Sequence, residues 1–383
     1  MSIKGLGPYA HDQRGVGGRA GAGRRRYGRA GRQRVRVAGP YAAAVPIRTP
    51  APRTEAPAAI LTSVPAGTLV AIGGAEEKLG RKPVLRRFAE LAGGDEARIV
   101  VCATASALGD EITKLYDTIF RRLGVVDVVQ VRPQTREEAD DPRAVEAVES
   151  ATAVFMTGGN QLKLSSVVTG TAFGDAILQA YRRGAVVGGT SAGASGLSEH
   201  MVAFGASGST PKNRISQLAR GLGLLPGVIV DQHFDQRNRY GRLMSLVAQN
   251  PSLLGMGIDE DTAGVITGGR VLEVVGRGSV FVVDGRAAVT NAAMATRTSP
   301  LLVSGAVVHT LPVGARFDLV EARLLDFGDR TETDLAATTA SDELDPLVGT
   351  VARRVAAEGA DDAVVQRNAR RRERRRSGED DDE

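Results

Sequence analysis

Residues 189–193 read Gly-Thr-Ser-Ala-Gly, inside "VVGGTSAGASG" at 186–196, so one serine hydroxyl stands where nearly every neighbour is small. The run matches G-x-S-x-G, the pattern in which a serine sits on a sharp strand-to-helix turn with its oxygen exposed. Glycine flanks suit such a turn because a side chain there would collide with the adjoining strand and helix. The chemistry this allows is nucleophilic attack by Ser191 on a carbonyl carbon, with the amide of Ala192 directed at the developing oxyanion. A second donor is available in "TGGN", at Gly158 or Gly159. Losing one such donor typically costs ~2.7–4 kcal/mol of transition-state stabilisation.

Serine needs an adjacent base to attack, and the chain has only four histidines. His11 falls in a basic N-terminal arm, and His200 follows the helix behind the elbow. His309, in "AVVHTLP", reads as a packed or surface histidine on a late strand. His233 ends the apolar run 228–230 in "LPGVIVDQHFDQRNRYGRL", which places it on the same sheet edge as Ser191. It is surrounded by Asp231, Gln232, Asp235, Arg237, Arg239 and Arg242, a polar crowd with no evident structural purpose. His233 is therefore the candidate base. The acid that orients the imidazole could be Asp231, Asp235, Glu199 or one of the trio Asp259, Glu260 and Asp261 in "GMGIDEDTAGV". The trio ends a strand-like segment, which favours Glu260. The order Ser…His…Glu differs from the Ser…Asp…His order of α/β-hydrolases.

Alternating strands and helices supply the frame. "GTLVAIGG" (67–74), "ARIVVCATA" (97–105), "VVDVVQV" (125–131), "TAVFMTGGN" (152–160) and the strand leading into the elbow are near-continuous apolar runs. Between them "KPVLRRFAELAGG" (82–94), "DEITKLYDTIFRRLG" (110–124), "DPRAVEAVESA" (141–151) and "DAILQAYRRGA" (175–185) read as helices. This order predicts an α/β fold: a doubly wound, mostly parallel sheet with helices on both faces. Ligands then bind outside the carboxyl ends of the strands, where "AIGGAEEK", "FMTGGNQ" and "GGTSAGA" all open. After residue 255 the runs shorten, which predicts an antiparallel C-terminal addition.

With 42% hydrophobic and 24% charged residues the composition is that of an ordinary soluble globular protein. The net charge of +5 is uneven: residues 1–60 carry +10, so the remainder carries −5. The sequence divides into a disordered Arg/Gly-rich extension (1–62), a catalytic α/β unit (63–330) and a charged C-terminal segment (331–383), largely disordered at its end. A single cysteine, Cys102, excludes a disulfide framework and fits a reducing compartment. No run approaches a membrane span and no secretory signal is seen, so a cytoplasmic location is expected. No metal or other cofactor is implied.

Taken together, "GGAEEK" (73–78), "GGNQ" (158–161), "GGTSAGAS", "LPGVIVDQHFDQRNRYGRL" and "GIDEDTA" resemble the cyanophycinases. These are dipeptidase-E-like serine peptidases whose architecture is that of class I glutamine amidotransferases. The resemblance covers roughly 67–325 and neither tail. It implies a metal-independent, typically dimeric enzyme that cuts cyanophycin, a poly-aspartate with arginine on each β-carboxyl, into β-Asp-Arg dipeptides. Carried over block by block, it makes Ser191 the nucleophile, His233 the base and Glu260 the acid. Gln161, Asp231 and Gln232 would line the pocket, and Arg237, Arg239 and Arg242 would face the substrate's carboxylates. The stretch "HMVAFGASGSTPKN" departs from the family, where acidic residues are usual, and position 160 is often Asp there rather than Asn.

Three other readings compete. An aspartyl or isoaspartyl dipeptidase would share the chemistry, but three arginines in "DQRNRYGRL" suit a repeated anionic chain better. A non-catalytic protein binding nucleic acid through its basic arm is disfavoured by the acidic remainder and by the six Tyr, nine Phe and no Trp available for stacking. A glutamine amidotransferase would need a cysteine on the elbow, and Cys102 is not there.

Overall fold

β1 (Thr68–Ile72) ends at the glycine pair 73–74, and α1 (Pro83–Ala92) follows. Proline sits in the first turn of α1, and Gly93 closes it at φ 116° by donating to the carbonyls of Ala89 and Glu90, a left-handed cap that glycine adopts without Cβ strain. Next come β2 (Arg98–Cys102), α2 (Asp110–Arg122), β3 (Asp127–Val131), α3 (Arg136–Ala139) and α4 (Pro142–Glu149). Helix α2 opens with two acids and closes with two arginines, which complements its dipole. Asp141 caps α4, its side chain accepting from the Arg143 amide at 2.9 Å. β4 (Ala153–Met156), α5 (Gln161–Val168), α6 (Ala172–Arg182), β5 (Val186–Thr190) and α7 (Ala192–Leu197) carry the chain through the elbow.

Beyond the elbow, β6 (His200–Gly205) and β7 (Ser216–Arg220) pair as a hairpin, and β8 (Val228–Asp231) leads to α8 (Tyr240–Gln249). The remainder is all strand: β9 (Leu254–Ile258), β10 (Thr262–Thr267), β11 (Val271–Gly276), β12 (Ser279–Asp284), β13 (Val289–Thr290), β14 (Val303–Ser304), β15 (Val307–Pro312), β16 (Ala315–Asp318) and β17 (Arg323–Phe327). This computed structural model describes residues 67–328. The readings of 1–62, of 331–383 and of His11 lie outside the described residues.

The main sheet has nine strands in the order β17-β16-β11-β10-β1-β5-β4-β2-β3. The five from β1 to β3 run parallel, and β10, β11, β16 and β17 add antiparallel beyond β1. Alternate residues of one strand enter opposite cores. Leu69, Ala71, Val100, Cys102, Val154 and Met156 pack with α4, α5, α6 and α7 on one face. Val70, Ile72, Ile99, Val101, Ala153 and Phe155 pack with α1 and α2 on the other. Both faces are covered, so these strands read as continuous apolar runs. The fold is the expected doubly wound α/β architecture with its antiparallel addition.

One expectation is corrected. The run that precedes His233 is not a strand of the main sheet; β8 belongs to a separate four-stranded sheet, β15-β12-β9-β8, where it pairs parallel to β9. β10 already occupies the edge of β1 that is not paired with β5, and periodicity marks a buried strand without saying which sheet holds it.

Candidate active site

Ser191 follows β5 directly with φ 52° and ψ −109°, a conformation that costs a non-glycine residue free energy and persists where the surroundings enforce it. Here its amide donates to the Ile72 carbonyl at 3.0 Å. The helix behind it passes very close: a Cβ on Gly193 would lie 2.4 Å from the Met156 carbonyl oxygen, and one on Gly189 2.3 Å from the Gly193 carbonyl carbon. Those two positions must be glycine for the elbow to be this tight.

Ser191 Oγ lies 2.9 Å from His233 Nε2, and His233 Nδ1 lies 2.6 Å from Glu260 Oε1. Although β8 sits in the smaller sheet, the His233 amide donates to the Gly73 carbonyl at 2.7 Å, which docks the histidine onto the end of β1. Its own φ is 46°. The three carboxylates between β9 and β10 have separate tasks. Asp259 accepts from the Ser279 amide and hydroxyl at 2.9 and 2.8 Å. Asp261 accepts from the Glu77 amide at 2.8 Å. Among the described residues only Glu260 of the three bonds His233. Asp235 accepts from the Tyr240 hydroxyl, and Glu199 has no bond to His233.

Burial pushes the His233 imidazole below its ordinary value; the Glu260 hydrogen bond opposes this, while Arg237 and Arg239 add to the depression. The bond from His233 holds the Glu260 carboxyl down, against some desolvation. A neutral imidazole facing a serine, with an ionised carboxylate behind it, is the arrangement that general-base chemistry with an orienting acid requires.

Gly158 lies against the serine: a Cβ there would be 3.4 Å from Ser191 Cβ and 3.9 Å from Oγ. Ala192 opens α7. The amides of Ala192, Gly158 and Gly159 have no backbone acceptor among the described residues.

Gln161 is buried at the start of α5, its side-chain amide donating to the Val202 and Ala203 carbonyls at 3.2 and 2.8 Å. That ties the "GGNQ" loop to β6. Arg239 and Arg242, which the resemblance set against the substrate's carboxylates, are turned into the interior. Arg239 is 0% exposed and Arg242 2%, on either side of an equally buried Asp231. Arg242 Nε donates to Asp231 Oδ2 at 2.7 Å and its Nη2 to Oδ1, while Arg239 Nη1 reaches Asp231 Oδ1 at 3.5 Å. Arg239 also donates to the Gln232 backbone and side-chain oxygens. A carboxylate taken out of water must be paired, so Asp231 draws both guanidiniums inward and the histidine loop gains a rigid floor. Arg237 is the one of the three left half-exposed.

The sequence reading gave no role to Glu76, Lys78, Tyr116 or Thr190, which form a buried polar cluster beneath the elbow. "GGAEEK" held the available signal, three charged residues separated by three small ones from the end of a buried strand. Among the described residues no cluster of His, Cys, Asp or Glu could hold a metal ion, and no helix is long and apolar enough to cross a membrane.

Residues 69–274 match the model of peptidase family S51. The chain belongs to peptidase family S51. It is a serine peptidase, and its curated relatives include cyanophycinases. That of Geminocystis herdmanii (strain PCC 6308) is 40% identical over 253 residues, 66% of this chain and 93% of that protein. That of Trichormus variabilis is 41% identical over 261 residues, 67% of this chain and 87% of its own length. Among solved structures, a peptidase from an acI-B1 Actinobacterium aligns over 64% of this chain and 98% of its own, at 24% identity and a TM-score of 0.46.

Proposed function

We propose that this S51 peptidase hydrolyses cyanophycin to β-Asp-Arg dipeptides through an acyl-enzyme on Ser191. The observation that carries the chemistry is the relay Ser191 Oγ–His233 Nε2–His233 Nδ1–Glu260, at 2.9 and 2.6 Å. The substrate rests on the likeness to cyanophycinases at about 40% identity.

His233 Nε2 takes the hydroxyl proton as Ser191 Oγ bonds to the carbonyl carbon of an aspartyl residue. The charge on the carbonyl oxygen is met by the amides of Ala192 and of Gly158 or Gly159. Collapse breaks the C–N bond, and the imidazolium gives its proton to the leaving nitrogen. Water then attacks the ester, with His233 again taking a proton, and Ser191 leaves with it. Glu260 keeps the imidazole in the tautomer whose Nε2 accepts and stabilises it when protonated. Gln161 and Gln232, tied by their side chains to β6 and to Arg239, hold the loops beside the serine, and we assign Arg237 to a substrate carboxylate. With Arg239 and Arg242 committed to Asp231, a row of three arginines no longer argues for a polymer over a dipeptide. The preference for polymer therefore rests on the relatives. We take the working unit to be residues 63–330, acting as a cytoplasmic homodimer, which sizing by light scattering tests for the dimer.

Product analysis of insoluble cyanophycin incubated with wild type and with Ser191→Ala tests this reading. Release of β-Asp-Arg by wild type alone is expected. Cleavage by wild type of short aspartyl peptides but not of the polymer would move the assignment to a dipeptidase. Equal release by both proteins would remove the serine mechanism.

A further inference from the structure

The loop between β1 and α1 carries a buried carboxylate that the steps above do not use. Glu76 is 3% exposed. Its Oε1 accepts from Lys78 Nζ at 2.9 Å and from the Tyr116 hydroxyl at 2.5 Å. Its Oε2 accepts from the Thr190 hydroxyl at 2.6 Å. One oxygen is thus anchored to the protein body and the other to the residue immediately before the nucleophile.

We propose that Glu76 is a positioning residue for Ser191, fixing the end of β5 against the loop that also holds His233 and Glu260. The inference rests on Ser191 being the nucleophile.

The same short loop gathers every carrier of the relay. The Gly73 carbonyl accepts the His233 amide, and the Gly74 carbonyl accepts the Asp261 amide at 2.9 Å, next to Glu260. The Glu77 amide donates back to Asp261 Oδ1 at 2.8 Å, and Arg277 bridges the Glu77 and Asp261 carboxylates. Base and acid are therefore registered to residues 73–77 through backbone bonds. The elbow is joined to this loop by the Ser191 amide on Ile72 and by the Glu76–Thr190 bond. The side-chain bond is what stops Thr190, and Ser191 with it, from shifting relative to the imidazole.

An ionised carboxylate fits this task because both its oxygens only accept, with about four lone-pair sites for the three donors. Burial alone would raise its pKa; Lys78, with the Thr190 and Tyr116 hydroxyls, holds Glu76 below the usual carboxylate range. Hydrogen bonds to an ionised acceptor are also shorter and stronger than neutral ones, which suits a tether that must hold a tolerance of tenths of an ångström.

Three conservative variants test the proposal, assayed on a soluble oligomer of β-Asp-Arg units and by the rate of labelling with a fluorophosphonate. Thr190→Val removes the elbow bond and leaves the Glu76–Lys78 pair intact. It is expected to lower kcat and the labelling rate about 10–100-fold, with KM within about twofold, as displaced reacting groups do. Thr190→Ser, which keeps the hydroxyl, is expected to restore most of kcat. Tyr116→Phe removes a body-side bond and is expected to leave kcat near wild type. Wild-type kcat in Thr190→Val would overturn the proposal. Equal losses in Thr190→Val and Tyr116→Phe that follow a fall in melting temperature would overturn it too, because the cluster would then be structural only. Ser191→Ala run in parallel separates the two levels. Activity in that variant removes the nucleophile reading and this proposal with it, whereas an inactive Ser191→Ala beside an unimpaired Thr190→Val removes only the tether.

Discussion

A Cβ on Gly74 would lie 2.3 Å from Cε1 and 2.5 Å from Nε2 of His233. The imidazole is seated directly on the backbone of the loop after β1, and Gly74 itself has φ 98°. Gly74→Ala is therefore expected to displace the ring as well as strain the loop. We expect kcat/KM to fall by about 100-fold or more, with a stability loss of only about 1–3 kcal/mol from the backbone. Steady-state kinetics beside chemical denaturation of the same preparation checks this.

Because burial depresses His233 below its ordinary value, about 6.5, the acid limb of kcat/KM should fall below that value. The sign for stability is the same. The unfolded chain binds a proton on the histidine where the native state does not, so His233 costs stability as the pH drops below about 6.5. Glu260, whose carboxyl is held down by His233, stabilises the fold above the ordinary carboxylate value and loses that contribution as the pH falls through its native one. A pH–rate profile, with denaturant midpoints across the same range, measures both.

Arg237 lowers His233 through its charge. In Arg237→Ala the acid limb should move toward higher pH, and the shift should shrink as salt rises because the residue is half-exposed. KM for an oligomer should rise in the same variant. A limb that stays in place at low salt would remove Arg237 from the electrostatics of the base.

Glu260→Gln keeps the shape but removes the charge that stabilises the imidazolium. A loss in kcat of about 10³–10⁴-fold is expected, by analogy with the asparagine variant of the classical serine-protease triad. A loss of less than about tenfold would show that another group serves as the acid.

Arg242→Met strands part of the Asp231 charge in the interior, and such breaks cost about 3–5 kcal/mol. Adding Asp231→Leu to it should cost less than the sum of the two single changes. Urea denaturation reads both. A raised KM with undiminished stability would instead return Arg242 to the substrate.

The candidate constellation was legible where the signal is local. A serine between glycines after an apolar strand requires a turn whatever surrounds it, and one histidine in a polar crowd at a strand end narrows the search for a base. The strand-like segment before the three carboxylates and the resemblance already favoured Glu260; the physical difference among the three is tertiary, since Glu260 bonds His233 while Asp259 and Asp261 bond Ser279 and the Glu77 amide. Arg239 and Arg242 misled for a related reason: a charge in sequence carries no mark of whether its partner is a substrate or Asp231. The sheet membership of β8 was equally hidden, since apolar runs announce burial and not neighbours. Glu76 and Lys78 could be seen only as charges following a strand, because Thr190 lies more than a hundred residues away from Glu76.

The chain passes from the smaller sheet to the larger between β9 and β10, and Glu260 lies in that crossing. The proposed acid is thus the rivet between two layers rather than a property of either. A slip of one layer over the other by the length of a hydrogen bond would silence the enzyme while leaving both layers folded, so heat or mild denaturant should abolish turnover before the protein melts. Nor can the molecule be trimmed to its parallel strands and keep its relay, because the late antiparallel strands clamp the far side of that rivet.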